Sequence, residues 1–534
     1  MIKKFLPAFS VVMVLVALQI GSIFHGALGQ STIKQQRFVP FSRSTFASKE
    51  VSKDVRPFYP AGRGIRYPLA ALSAVVPVIG DNVNVIGAND VRMRAKIGGK
   101  KVFTCNPGKQ TPQNETSLAV NPNNPNNLVG GVNDYRLYVP SENRYDGGGG
   151  FFCSTDGGKS WTVGNLPGLV TADPDAPGIY ETAGDPAVAA GPNNVFWYAN
   201  LASNRTDDAS AIAVSRSTDG GATWKTTFAI QTSAEEGKTI FNDKGWIAAD
   251  PKDPNVAYVT WTQFNYDAKG NYLSSLIVYS KTANGDATWS TPQQVTPNLF
   301  NQGSVVCIDH PDGNVHVVWN SYNAALGKDG VAYAMKPNGS DTFGATRFLA
   351  VDDDIKDPLV WAEFRTNSFP ALALDGNNLY VVWSNWNARN ADIVYLHSTD
   401  GGLTWSSQKT IGGGASDQFF PWIGANKGKV FVSYMDHKGE KGSRYHMSIV
   451  ASSDNGDTWS KPVKITSRNS DPSKGNYFKY PNCVPSFIGD YTGIAVGSDG
   501  VAHPFWTDIR KGNSPGDPGT TYDQDPYTAT VTIH

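Results

Sequence analysis

The chain has 534 residues, of which 40% are hydrophobic, 11% aromatic and 17% charged, with 46 Lys plus Arg against 47 Asp plus Glu. A balance this close to zero excludes a nucleic-acid binder that works by neutralising phosphates, which needs a basic surplus. Disorder is excluded by the apolar area of 14 Trp, 22 Tyr and 25 Phe, and 54 Gly with 33 Pro favour many turns between short strands over helical bundles.

The N-terminus reads as an export signal. Lys3 and Lys4 precede an apolar run from Phe5 to about Ile20, and Ala27-Leu28-Gly29 offers a small-residue cleavage site. The run is short for a span and is broken by Pro7, Ser10 and Gln19, which favours cleavage over anchoring. Residues 1–29 are therefore expected to be a signal peptide, and the mature chain to be secreted or periplasmic with no membrane contact. Residues 30–83 are expected to be an N-terminal arm, either a leader or a packed segment.

Beyond the arm, one string recurs six times. It reads STDGGKSW (154–161), STDGGATW (217–224), TANGDATW (282–289), KPNGSDTF (336–343), STDGGLTW (398–405) and SSDNGDTW (452–459). The Asp or Asn positions are 54 to 65 residues apart. Asp and Gly turn the chain tightly, the Asp side chain bonds backbone N–H groups within the turn, and the Trp packs between sheets. The box is a folding device, so its acids are not read as catalytic.

A second repeat precedes each box: a small-apolar strand, a turn, and a strand ending near Trp. Its copies start at Ser117, Ala187, Trp246, Val305, Ala371, Trp422 and Gly493. Seven units of about sixty residues, each with antiparallel strands A to D, describe a radial array, a β-propeller of seven blades over residues 84–534. The seventh unit has three strands before the chain stops, so its fourth is expected from the N-terminal side, within Asn84 to Phe103. Of the four cysteines, Cys105 and Cys153 flank the first repeat and are expected to pair, Cys307 is expected to be a free buried thiol, and Cys483 is unassigned. Sequons stand at Asn114, Asn204 and Asn338.

The boxes resemble the Asp-box, or BNR, repeats of the sialidase superfamily, over about residues 114 to 534. The resemblance implies the propeller, with the six-bladed form of true sialidases as the alternative blade count. It implies a glycan or polysaccharide partner and an exo-glycosidase acting on acidic sugars, a glycoside hydrolase of exo-α-sialidase type. The alternative is a non-catalytic polysaccharide- or protein-binding propeller, and a scaffold with an inert channel is a third. The nearest match to the family's Arg-Ile-Pro motif is Arg66-Tyr67-Pro68, some fifty residues before the first repeat, followed by Asn89-Asp90-Val91-Arg92.

Strand direction selects a face. In four-stranded antiparallel blades the start of A and the end of B share one face, and the A–B and C–D turns share the other. At the ends of B, Asp134-x-Arg136, Asp436-x-Lys438 and Asp508-x-Arg510 recur in blades 1, 6 and 7. The starts of A add Glu115, Asp185, Asp243, Lys244, Asp490 and Tyr491. One reading of the Asp-x-Arg pairs is an ion-pair ladder stapling neighbouring blades. The other is a pocket in which Arg136, Arg510 and Lys438 hold an anionic sugar beside Asp134, Asp508 and Asp490. By the resemblance, Tyr491 would be the nucleophile, Glu115 its base, and Asp185 or Asp243 the proton donor. No cofactor is expected and no metal is assigned, with Ca²⁺ on the same acids as the alternative. His316, His397, His446 and His503 read as packing residues, and only His437 falls on the favoured face. Trp386 offers a ring for stacking on sugar or for packing in the core.

Overall fold

The computed structural model describes residues 64–90, 93–94, 111–139, 144–323, 327–362, 364–475, 487–512 and 522–534. The expected signal peptide, most of the arm, Cys105 and Cys483 lie outside them. The described residues form a ring of seven antiparallel blades, each running A to D from the axis outward. Blade 1 runs Gln113–Asn121, Asn124–Val139, Arg144–Ser154 and Thr162–Asn165. Blade 2 runs Thr182–Ala190, Phe196–Ser203, Ser210–Ser217 and Lys225–Thr232. Strands A of blades 3 to 6 are Ile240–Ala249, Asn301–Ile308, Ala371–Asp375 and Gln418–Asn426. Among the described residues, helix is limited to short turns such as Pro472–Gly475, and no helix is long and apolar enough to cross a membrane.

The boxes explain why the blades form and how they stack. In the first, Asp156 Oδ1 accepts from the backbone N–H groups of Lys159 and Ser160, and Oδ2 from the Ser160 hydroxyl at 2.6 Å. The Ser154 hydroxyl meets Asp156 and accepts from Gly158 N, and Trp161 Nε1 closes the turn on Gly158 O. Asp219, Asp400 and Asp454 repeat the arrangement. These donors hold Asp156 and Asp400 down at about 2.

Each box aromatic then packs on the preceding blade. Trp224 meets Phe151 at 5.7 Å, Trp289 meets Trp197 at 6.2 Å and Phe343 meets Tyr279 at 5.1 Å. Trp405 meets Tyr333 at 5.1 Å and Trp459 meets Tyr395 at 4.9 Å. The ring closes where Trp161 of blade 1 stacks on Phe505 of blade 7 at 6.4 Å. Edge or offset ring pairs add about 0.5–1.5 kcal/mol each beyond the buried area.

Blade 7 is built from both ends of the chain. Strands Gly493–Val496 and Ala502–Asp508 pair as A and B, and Asp525–Thr528 with Val531–Ile533 forms C. The fourth strand is Pro77–Ile79 with Val83–Asn84, which pair with Val531–Ile533 and Tyr527–Thr528. It comes from the N-terminal side as expected, but meets the stretch selected from the sequence only at Asn84 and otherwise lies upstream of it. The residues before it form a belt. Ile65 N donates to Trp386 O, Ala70 N to Thr410 O, and Ala71–Leu72 pairs in parallel with Thr458–Trp459. Arg66 and Tyr67 belong to this belt, bonding Asn387 O just after strand Asn378–Trp386 of blade 5 and Val351 O at the end of the outer strand Arg347–Val351 of blade 4.

Two cysteines and a sequon are placed by the fold. Cys153 is a free buried thiol whose Sγ lies 3.2 Å from Gly220 O of the blade 2 box, and Cys105, its expected partner, lies outside the described residues. Cys307 is free as expected, its thiol facing Leu372 O and pushed up to about 12 by burial. Asn114 is fully buried and its amide donates to Gln524 Oε1, so that sequon is closed to modification.

Candidate active site at the channel mouth

Boxes and A–B turns share a face: Gly157 N donates to Asn126 O, Gly220 N to Asn194 O and Gly401 N to Asn377 O. The starts of strands A therefore lie on the opposite rim, as strand direction requires. There the A–B ladder slips by one residue in blades 1, 2, 3, 4 and 6. The first extra residue is left-handed in each: Glu115 (φ 56°), Asp185 (φ 55°), Lys244 (φ 48°), Gly303 (φ 69°) and Phe420 (φ 50°). Only blade 4 uses the glycine this conformation favours. Elsewhere the strain is about 1–2 kcal/mol per residue, and strain of this kind marks places where side-chain direction matters.

These bulges gather charge at the axis. Asp185 Oδ2 accepts from Lys244 N at 3.0 Å, and Asn133 bridges Glu115 Oε2 (2.9 Å) and Asp185 N (2.8 Å). Glu115 Oε1 accepts from Asp490 N at 3.2 Å. The Asp185 carboxylate stands within hydrogen-bonding reach of both Glu115 and Asp243. Burial first, then the charges of Asp185 and Asp490, push Glu115 well above the carboxylate range; burial and Asp185 do the same to Asp243. Burial therefore favours the protonated form of both.

A cation sits among these acids. Lys244 Nζ lies 3.9 Å from the Tyr491 ring centroid, 5.2 Å from Phe369 and 5.5 Å from Trp246, buried and with no hydrogen-bond partner. Burial lowers its pKa against the pull of four carboxylates.

Wetter ground lies at the edge. Arg365, from the long connection between blades 4 and 5, donates through Nε to Asp490 Oδ1 at 2.9 Å and through Nη2 to Oδ2. Their side chains are 23% and 12% exposed. Burial works against the guanidinium, but Asp490 outweighs it and keeps Arg365 charged. Beneath, Trp246 and Trp422 meet at 4.6 Å, and Tyr491 contacts both. Blades 3 and 6 stand on opposite sides of the ring, so this contact crosses the axis and closes the channel.

The structure thus brings together Glu115, Asp185, Asp243, Asp490 and Tyr491. The Tyr491 hydroxyl donates to Pro186 O at 2.9 Å, and burial followed by Glu115 and Asp185 pushes it well above the phenol range. The Asp-x-Arg/Lys groups lie elsewhere and serve as turns: Oδ1 of Asp134, Asp436 and Asp508 accepts from the backbone N–H two residues on, at 3.0, 2.8 and 3.0 Å. Arg136 grips Asp134 and donates to Asn89 O; Arg510 grips Asp508 and donates to Ser467 Oγ. Both guanidinium groups are buried in these contacts, and each ion pair lies within its own turn, so the pairs form no ladder from blade to blade. Lys438 is exposed, and Asp436 is bonded by Gln418 and Ser448. Trp386 is buried under Lys356, His437 stacks on Trp361 at 3.8 Å, and His316 is satisfied by Asp309 and Tyr333. Sequence reasoning missed Arg365, whose partner is 125 residues away, and gave Lys244 no role.

A family model described as a BNR repeat-like domain matches residues 194–491. No curated protein matches the chain in sequence. Similar solved structures include the Hadza microbial sialidase Hz136, at 15% identity and a TM-score of 0.38 over 60% of this chain. This chain spans 63% of that sialidase's length. The NanB sialidase from Streptococcus pneumoniae is similar at 9% identity and a TM-score of 0.42, covering 86% of this chain and 99% of its own. An α-L-arabinofuranosidase from Fusarium graminearum is similar at 13% identity and 0.37, covering 79% and 93%.

Proposed function

This chain belongs to the BNR repeat-like domain family, and from that premise we propose that it is an exported, glycan-directed propeller that binds sugar at the mouth formed by Asp185, Arg365 and Asp490. The observation that carries the reading is the Arg365–Asp490 pair: a rigid fork of donors against a fork of acceptors, partly open to water and beside the partly exposed Asp185. Neighbouring hydroxyls of a sugar, or its carboxylate, meet such a surface bidentately. The aromatic floor beneath is closed, so the sugar rests on the mouth and does not thread the ring. Export rests on the Lys3-Lys4 start, the apolar run and the Ala27-Leu28-Gly29 site.

Binding is favoured over hydrolysis by Tyr491, whose hydroxyl is spent on Pro186 O and whose surroundings disfavour the phenolate that attacks in the sialidase scheme. One observation favours the second reading, an exo-glycosidase: Glu115 and Asp243 keep the protons that a general acid needs, in the same cluster as Tyr491. One experiment separates the two. Affinities are measured for a panel of sialylated, uronic and sulfated glycans, and turnover for the matching fluorogenic glycosides. Binding without turnover, weakened about 10–100-fold by Arg365→Lys or Asp490→Asn through loss of a charge-assisted contact, is the expected result. Turnover abolished in Tyr491→Phe would establish hydrolysis instead. Folded protein that neither binds nor cleaves any of the panel refutes the glycan assignment.

A further inference from the structure

A second acidic group lies away from the Glu115 cluster, where the two chain ends meet blade 1. Asp90 follows a short 3₁₀ turn (Gly87–Asn89) just after the closing strand, Asp523 and Asp525 lead into strand C of blade 7, and Thr111 and Gln113 lead into strand A of blade 1. One carboxylate oxygen from each of Asp90, Asp523 and Asp525 lies within 4.8 Å of the other two, and all three residues are buried.

The chain holds each carboxylate from behind. Asp90 Oδ1 accepts from the Thr111 hydroxyl and from Gln113 Nε2, Asp525 Oδ2 from Asn84 Nδ2 at 2.8 Å, and Asp523 from the backbone N–H groups of Thr111 (3.1 Å) and Gln524 (2.8 Å). Asp90 Oδ2 and Asp525 Oδ1 are left buried without a hydrogen-bond partner. So is Gln113 Oε1, on a fully buried side chain outside the acidic trio whose amide head lies against Asp90. Unpartnered acceptors are expensive to bury, and three together need a shared donor or a cation. The flanking guanidinium groups do not supply one, because Arg136 and Arg510 are already matched by Asp134 and Asp508.

We propose that Asp90, Asp523, Asp525 and, with its amide turned over so that the oxygen replaces Nε2 beside Asp90, the Gln113 carbonyl oxygen hold one Ca²⁺ that clasps the N-terminal closing strand to the C-terminal strand and to blade 1. The donors are all oxygen, which selects a hard cation, and a 4.8 Å spread is about twice a Ca–O bond of roughly 2.4 Å. Mg²⁺ takes shorter bonds of about 2.1 Å and keeps several waters, for which a buried carboxylate trio is too wide and too enclosed.

The test uses the mature full-length chain, stripped with a chelator. Equilibrium dialysis against Ca²⁺ is expected to find one tight ion per chain, and thermal unfolding a midpoint higher by about 3 °C or more with saturating Ca²⁺ than with equal Mg²⁺. Asp90→Asn and Asp525→Asn, which keep shape and remove charge, are expected to weaken Ca²⁺ binding about tenfold or more and to lose the midpoint shift. Asp243→Asn, in the other acidic cluster, is expected to keep both. Absence of bound Ca²⁺ in the wild type overturns the proposal without reference to any variant. A midpoint shift that survives in both Asp90→Asn and Asp525→Asn overturns it equally.

Discussion

Replacing Asp243 by asparagine tests whether the mouth is held together by shared protons. Burial and Asp185 push the Asp243 carboxyl well above its usual range, so the folded chain keeps a proton that the unfolded chain releases above about pH 3.9. Between those two points the native state binds one proton more than the unfolded state. Stability then falls by about 1.4 kcal/mol for each pH unit per such group. The contribution is whole below the unfolded value and is lost as pH rises through the folded one. Asparagine imitates the protonated acid in shape, and its amide can donate to Asp185 beside it. It cannot ionise. Urea unfolding followed by Trp fluorescence at pH 5, 6 and 7 is therefore expected to show a flatter pH dependence in Asp243→Asn, by at most about 1.4 kcal/mol per unit. Parallel dependences, or a steeper one in the variant, refute the shared proton.

Trp459→Ala removes a side chain that is 1% exposed and seated on Tyr395, and is expected to cost about 3–5 kcal/mol in denaturant unfolding, more than Trp161→Ala at a half-buried box. Arg136→Ala leaves the Asp134 carboxylate buried without its partner, and a loss of about 3–5 kcal/mol is expected by the same measurement. Asp400→Asn acts with the opposite pH sign to Asp243→Asn. Its pKa is held down at about 2 by the Thr404 hydroxyl and backbone, so its stabilisation is present above the unfolded value near 4 and fades on acidification, and melting curves of wild type and variant are expected to converge towards pH 2.

The blades were legible because the box is written in local chemistry: Ser, Asp, Gly and Trp act within eight residues, and each copy repeats the same bonds. The rim bearing the charge was legible because it follows from strand direction alone, and in a chain with few charges Glu115, Asp185, Asp243 and Asp490 stood out. The Asp-x-Arg pairs gave a misleading signal. Their spacing suits an anion grip, yet an Asp accepting from the N–H two residues on needs no ligand, and a nearby Arg completes it. The bulges left no mark in composition, since Glu, Asp, Lys and Phe occupy conformations that glycine would announce. Arg365 and the Asp90–Asp523–Asp525 group come from segments joined only by ring closure, and no local pattern records such a meeting.

The closing strand has a consequence for how the molecule comes into being. Asn84 pairs with Tyr527, so the first strand-forming residues of blade 7 to be synthesised must wait for nearly the last. Bringing such distant segments together carries an entropic barrier on the order of 5 kcal/mol. Six blades stand ready as an open horseshoe while the chain is being finished, with an unpaired edge on which a second chain can anneal. Assembly is thus most vulnerable in the interval between completion of blade 6 and arrival of strands Asp525–Thr528 and Val531–Ile533, and a molecule lacking those strands loses the latch of the entire ring.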